Sequence, residues 1–184
     1  MLTIRTIDKA HEADLQLKNE PFPLFGLLLP AYQNGTWTYQ VKRFPKENCT
    51  EMCFPDEAYH YDKLCKNSIL LGAYDGETCV GLAILRHSQS HFLYLYDLKV
   101  NAAYRRKRIG MALLDRAKAL AQELGYRGLY TQGQDNNLGA CLFYLKNGFV
   151  IGGLDTYTYK GTSQENKPDV LFYYDAKEPR PGML

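Results

Sequence analysis

Between Leu95 and Leu124 the chain runs from an apolar strand through a block of cations into a long amphipathic helix. Leu95-Tyr96-Asp97-Leu98-Lys99-Val100 alternates aliphatic and polar positions as a half-buried strand does. Asn101-Ala102-Ala103-Tyr104 follows, then Arg105-Arg106-Lys107-Arg108 ahead of Ile109-Gly110. From there Ile109, Leu113, Ala117, Leu120 and Leu124 recur at helical spacing, with Asp115, Arg116, Lys118, Gln122 and Glu123 on the other face. Gly125 supplies the stop. The charge is the anomaly. A helix N-terminus carries partial positive charge and orphan N–H donors, and each cation placed there loses about 0.3–1 kcal/mol. An anion held jointly by those donors and the guanidinium groups reverses the sign. Arg105, Arg106, Lys107, Arg108, Ile109 and Gly110 therefore read as a phosphate cradle; the plainer reading is a solvated basic run or a nucleic-acid patch.

The rest of the chain bears on that choice. The formal net charge is only +2, with acids spread throughout, which argues against a nucleic-acid protein. The 46% hydrophobic and 23% charged content over 184 residues is that of one globular domain with its own core. No apolar stretch reaches membrane-spanning length: Leu24–Leu29 is broken by Gly26 and closed by Pro30. The first residues lack the pattern of a secretory signal, so a cytoplasmic location is expected. The five cysteines are irregularly placed, Cys49 and Cys53 have no second ligand pair, and His60 alone completes no zinc site; no metal is expected.

In chain order, Leu2–Ile7 alternates as a strand and Asp8 caps a helix through Leu17. An apolar cluster over Leu24–Leu29 precedes a loop at Gln33-Asn34-Gly35, with an extended stretch from Trp37 to Phe44. Tyr32, Trp37 and Tyr39 serve either as core or as the lining of a substrate mouth. Asp56–Lys66 is a candidate helix. Ser68–Tyr74 and Thr78–His87 form a hairpin at Asp75-Gly76, and His91–Val100 adds a third strand. Arg127–Gln132 closes a βαβ unit, so it should lie parallel to Leu95–Val100. Asn136 or Asn137 caps a second helix with Ala140, Phe143 and Tyr144 inward. Phe149–Ile151, Thr156–Lys160 and Val170–Tyr174 are strand-like, and the chain from Glu178 to Leu184 reads as a loose tail.

Two motifs in this frame resemble the GNAT N-acetyltransferases. Arg105 and Gly110 match the acyl-CoA loop Gln/Arg-x-x-Gly-x-Gly/Ala, with Arg108 where that family usually has glycine. Asn137, Ala140, Phe143-Tyr144 and Gly148-Phe149 match N-x-x-A-x-x-F-Y-x-x-x-G-F at every fixed position. The resemblance implies an α+β fold, with a central, mostly antiparallel sheet, one splayed parallel strand pair and helices on both faces. It implies acetyl-CoA as the acetyl donor, its pantetheine arm pairing with the backbone of Leu98, Lys99 and Val100. The pyrophosphate would lie on residues 105–110, with Asn137 and Ala140 near the pantetheine and Tyr144 beside the sulfur. A phenol near pKa 10 can protonate a departing thiolate of reference pKa about 8.5. An alkylamine near pKa 10.4 must lose a proton, and Asp97 is the candidate acceptor or, equally, the anchor of a cationic amine. Relatives commonly carry Glu-Asp where Tyr96-Asp97 stands.

A closer likeness is to streptothricin acetyltransferases. It rests on Pro21-Phe22, Gly26, Pro30-Ala31-Tyr32 and Trp37-Thr38, then on Thr131-Gln132, Asp135-Asn136-Asn137, Asp155-Thr156 and Tyr159. It implies acetylation of a β-lysine amine, with Tyr32, Trp37, Tyr96, Asp97 and Gln132 at the substrate. One departure stands against it: Lys42-Arg43 and Lys46 occupy a stretch that is acid-rich in those enzymes. The expected protein is thus a monomeric or homodimeric acetyltransferase of a small-molecule amine, with no nucleic-acid or membrane partner. Its rivals are an acetyltransferase of another small-molecule or peptide amine, and a catalytically silent acyl-CoA-binding module.

Overall fold

The computed structural model describes residues 2–178; of the tail expected from Glu178 to Leu184, all but Glu178 lies outside the described residues. In chain order the strands are β1 (Leu2–Thr6), β2 (Phe22–Leu24), β3 (Gly26–Gln33), β4 (Thr36–Arg43) and β5 (Thr50–Met52). Then come β6 (Ser68–Asp75), β7 (Thr78–Arg86), β8 (Phe92–Val100), β9 (Gly128–Gln134), β10 (Val150–Asp155) and β11 (Asp169–Asp175). The α-helices are α1 (Tyr61–Leu64), α2 (Ile109–Glu123) and α3 (Leu138–Lys146). The main sheet has the order β1-β6-β7-β8-β9-β11-β10 and is antiparallel except for the pair β8–β9. The mixed fold and its single parallel pair are therefore as expected. By internal contacts the chain forms two compact units, one from the chain up to Glu20 with Cys53–Leu129, the other from Pro21–Met52 with the chain from Tyr130 on.

In the first unit β6 and β7 are buried almost end to end, as strands covered on both faces must be. Their two-residue connection puts Gly76 at φ +61°, a conformation that favours glycine. Helix α2 buries Ile109, Leu113, Leu114, Ala117 and Ala121. The inward face is thus rotated from the expected one, for Leu124 lies exposed beyond the last turn. Gly81 on β7 lets α2 come close: a Cβ there would sit 3.1 Å from Leu113 and 3.2 Å from Ile109. Gly125 at φ +80° ends the helix as expected. The segment after Asp8 is 3-10 helical over Lys9–Gln16 and broken by a kink at His11, and Asp8 accepts the His11 N–H as its cap. Only Tyr61–Leu64 of the expected 56–66 helix forms.

Between β7 and β8 the register slips. Ile84 faces Asp97 but Leu85 faces Leu95, leaving Tyr96 as the extra residue of a bulge. A bulge bends its strand and re-aims the side chains beyond it, so the turn of β8 falls at Tyr96 and Asp97.

In the second unit β3 and β4 make a hairpin whose Asn34-Gly35 turn has positive φ at both residues, 51° and 78°. Strand β3 was not expected, because Pro30 and an unbroken apolar run hide its alternation. Gly26 cannot carry a side chain, since a Cβ would overlap the Lys42 carbonyl and lie 2.7 Å from Leu138. Leu28 N–H donates to the Asp135 carbonyl (2.9 Å), tying the hairpin to the entry of α3. That helix buries Leu138, Cys141 and Tyr144, whereas Ala140 and Phe143, expected inside, are half-buried. Thr156–Lys160 is a turn rather than a strand: Asp155 Oδ1 accepts the N–H groups of Tyr157 (2.8 Å) and Thr158 (3.0 Å) and curls the chain there.

Candidate active site

The basic loop takes an unusual backbone. Arg106 and Arg108 both lie in the left-handed region, at φ 60° and 64°. Arg108, the N-cap of α2, gives no side-chain cap, and the first turn holds no acid. Among the described residues the leading N–H groups of α2 thus meet neither a capping side chain nor a carboxylate, beside cations that are exposed at Arg106, Lys107 and Arg108. This is a fit for a phosphate group. The four basic side chains are not equivalent. Arg105 is drawn inward, its Nε donating to the Val100 carbonyl (3.2 Å) and Nη2 to the Glu20 carbonyl (3.2 Å). Glu20 in turn accepts the Ala102 N–H, so Arg105 and Glu20 brace the loop. Lys107 lies 4.8 Å from the Tyr104 ring centre. Arg106 and Arg108 are the two that project outward without a side-chain bond to the described residues.

Left-handed φ in a non-glycine residue costs about 1–2 kcal/mol. Arg108→Gly should therefore leave urea stability within about 1 kcal/mol of wild type, glycine's unfolded-state entropy offsetting the relief. Arg108→Val, with its branched Cβ at the same angle, should lose about 1–3 kcal/mol. Equal losses in both variants would show that the left-handed turn is unstrained.

Past the bulge on β8 lies a compact group of polar side chains. Asp97 Oδ2 accepts the Tyr59 hydroxyl (3.1 Å) and sits 3.4 Å from Lys99 Nζ. Lys99 Nζ also reaches Glu57 Oε2 at 2.7 Å and Asn19 Oδ1 at 3.3 Å, and Asn19 Nδ2 donates to Glu57 (3.0 Å). The side chains of Lys99 and Asp97 are only 11% and 17% exposed. Burial pushes the Asp97 carboxyl above its ordinary value; Lys99 pulls it back and Glu57 adds to the rise. Burial likewise raises the Tyr59 hydroxyl, with the Asp97 charge next, so Tyr59 stays a donor. Tyr96 stands edge-on to both Tyr59 and Tyr94 and is stacked by the Arg86 guanidinium 3.2 Å away. Asp97 and Tyr96 were legible from sequence, but Glu57, Tyr59, Asn19 and the side chain of Lys99 were not. Only the spacing of Asp97 and Lys99, two apart on one strand, hinted at their meeting.

In the second unit Tyr144 is 7% exposed, its ring 5.5 Å from those of Phe143, Phe149 and Phe172. Asn137 Oδ1 accepts the Ala140 N–H (3.2 Å), which leaves the Asn137 amide hydrogens for another partner. Gln132 is exposed on β9. Tyr32, 60% exposed, pairs with Trp37 across the hairpin at 5.0 Å between ring centres. Trp37 and Tyr39 join Leu145, Phe149, Val150 and Ile151 around a cavity of about 260 Å³.

The profile of the acetyltransferase (GNAT) family matches residues 36–149. The chain belongs to that family. It is therefore an N-acetyltransferase that takes acetyl-CoA as its donor. It is 35% identical to streptothricin acetyltransferase A of Bacillus subtilis (strain 168) over 162 residues, 88% of this chain and 92% of that protein. A Bacillus anthracis str. Ames protein crystallised with acetyl coenzyme A superposes with a TM-score of 0.82 at 26% identity, covering 95% of this chain and 98% of that one. Nourseothricin acetyltransferase shares the fold at a TM-score of 0.78 and 22% identity, over 95% of this chain and 98% of that one. Among the described residues no helix of this acetyltransferase is long and apolar enough to cross a membrane, and no group of His, Cys, Asp and Glu could hold a metal ion.

Proposed function

We propose that this acetyltransferase modifies a primary amine of a streptothricin-like antibiotic, the β-lysine amine being the acceptor. The observation that carries the substrate is the likeness to streptothricin acetyltransferase A across 88% of the chain. The surroundings of Asp97 support it, for a part-buried carboxylate ringed by Tyr59 and Tyr96 suits a cationic amine.

In this reading acetyl-CoA supplies the acetyl group as an activated thioester. Residues 105–110 hold its phosphates through the leading amides of α2 and the outward Arg106 and Arg108, while Leu98, Lys99 and Val100 offer backbone groups to the pantetheine arm. The Asn137 amide reaches that arm beside Ala140. Asp97 receives the amine, orients it and accepts its proton. Its raised carboxyl makes it a better base than an ordinary aspartate. Tyr144 gives a proton to the departing sulfur. An ammonium loses two protons on becoming an amide: the first leaves through Asp97 to solvent, and the second, from the adduct nitrogen, balances the one delivered to thiolate. Tyr32, Trp37 and Gln132 bind the rest of the acceptor. The chain works as one acetyltransferase domain, monomeric or homodimeric, in the cytoplasm and without nucleic acid.

The test is release of free CoA from acetyl-CoA with a panel of amines: streptothricin, simple alkylamines, polyamines and peptide N-termini. Streptothricin should exceed the alkylamines by about 100-fold or more in kcat/KM, a gap of roughly 2.7 kcal/mol. Parity between them, or a clear preference for peptides, would remove the antibiotic reading. Tight acetyl-CoA binding without turnover of any amine would instead favour a silent acyl-CoA-binding module.

A further inference from the structure

The cation beside Asp97 is Lys99. Lysine side chains are seldom this buried unless they are paired, and Lys99 is paired twice, at 2.7 Å to Glu57 and 3.4 Å to Asp97. With two carboxylates around one ammonium, the group keeps a net charge of −1. Both bonds to Asp97, from Tyr59 and from Lys99, fall on Oδ2; among the described residues Oδ1 accepts none. Asn19 completes the group by bonding Lys99 and Glu57 together.

We propose that Lys99 is a positioning residue, its ammonium shared between Asp97 and Glu57 so that Asp97 is pinned through Oδ2 and presents Oδ1 to the acceptor amine. Glu57 is the second half of the device. It draws Lys99 toward itself, keeping the cation from closing a tight pair with Asp97 and cancelling the charge that the amine needs. The proposal rests on the reading of Asp97 as the group that handles the amine.

Among the described residues the ionisable groups around Asp97 are few. On its own strand they are Lys99 and Tyr96; from the segment before α1 come Glu57 and Tyr59, and Arg86 of β7 lies over the Tyr96 ring. Beyond Asn19, the pair Lys18–Asp56 stands at 2.9 Å. Removing the cation and removing Glu57 should therefore act on Asp97 with opposite signs.

The experiment is a carboxyl carbon-13 titration of the full chain, with Asp97 assigned by its loss in Asp97→Asn, alongside the acid limb of kcat/KM with streptothricin as acceptor. In Lys99→Met the Asp97 midpoint and the acid limb should both move up by about one pH unit, a roughly tenfold loss of rate on the acid side. Glu57→Gln should move both down, and Lys99→Arg should keep the wild-type profile. A uniform loss across pH in Lys99→Met and Glu57→Gln, with the midpoint unmoved, would overturn the role of Lys99 while leaving that of Asp97 intact. Full activity in Asp97→Asn would remove the Asp97 reading, and the role of Lys99 with it. The titration needs no acceptor, so it stands apart from the identity of the antibiotic.

Discussion

Replacing Tyr144 by phenylalanine should lower kcat by about 10²–10⁴-fold, the range expected for loss of a positioned proton donor, and change acetyl-CoA affinity far less. The substitution removes one oxygen from a ring already held by Phe143, Phe149 and Phe172, so packing and the course of α3 should survive. The unchanged ring is what makes the test clean. A structural tyrosine would lose stability and little rate; a proton donor to the sulfur loses rate and little stability. Single-turnover kinetics, with calorimetry of acetyl-CoA binding, separates the two. A variant with wild-type kcat would end the assignment.

The second large effect is at Asp97. Asp97→Asn keeps the shape and an acceptor for the Tyr59 hydroxyl but removes the charge, and kcat/KM for the amine should fall by about 100-fold or more. Stability should move the other way. Burial raises the Asp97 carboxyl in the folded chain, so the folded state holds that proton more tightly than the unfolded one. The ionised side chain therefore withholds stability that the protonated one does not. The deficit opens as pH climbs from the ordinary carboxylate range, about 3.9, through the raised folded value. Asparagine has no such deficit. Lys99 retains Glu57 at 2.7 Å, so the substitution leaves no stranded ammonium. Thermal unfolding between about pH 3 and about pH 8 should show Asp97→Asn melting above wild type at the upper end, the gap closing as pH falls. A variant that is less stable at neutral pH would mean that the Lys99 pairing outweighs desolvation. Higher stability with lower activity is the signature of a carboxylate kept for chemistry at the expense of the fold.

Both predictions begin from residues that the sequence already marked. The run from Leu95 to Gly125 carries its own instructions, because periodicity, the glycine stop and the misplaced cations are local properties of the chain. The hairpin at Asp75-Gly76 and a helix cap at Asn136 or Asn137, which the fold settles on Asn137, are legible for the same reason: turn and cap chemistry is decided within a few residues. The apolar stretch from Gly26 to Gln33 is the opposite case. Its strand character depends on β4 pairing along its length, and Pro30 conceals it in the sequence. Thr156–Lys160 alternates like a strand, yet Asp155 captures the following amides and turns the chain instead.

The site divides the same way. The sequence by itself marked the basic start of α2, the motif around Tyr144 and Asp97 on its strand, since each is written in neighbouring residues, and the likeness of those motifs to the family implied the fold class. Only the tertiary structure decided that Arg105 turns inward to brace Val100 and Glu20, and that Arg108 takes a left-handed angle without being glycine. Only the folded chain, too, brings Asn19, Glu57 and Tyr59 to Asp97 and Lys99 from positions some 40 to 80 residues away. The slip of register at Tyr96 and the burial of an ion group are products of packing, and charges shift one another through space, with no regard for their order in the chain.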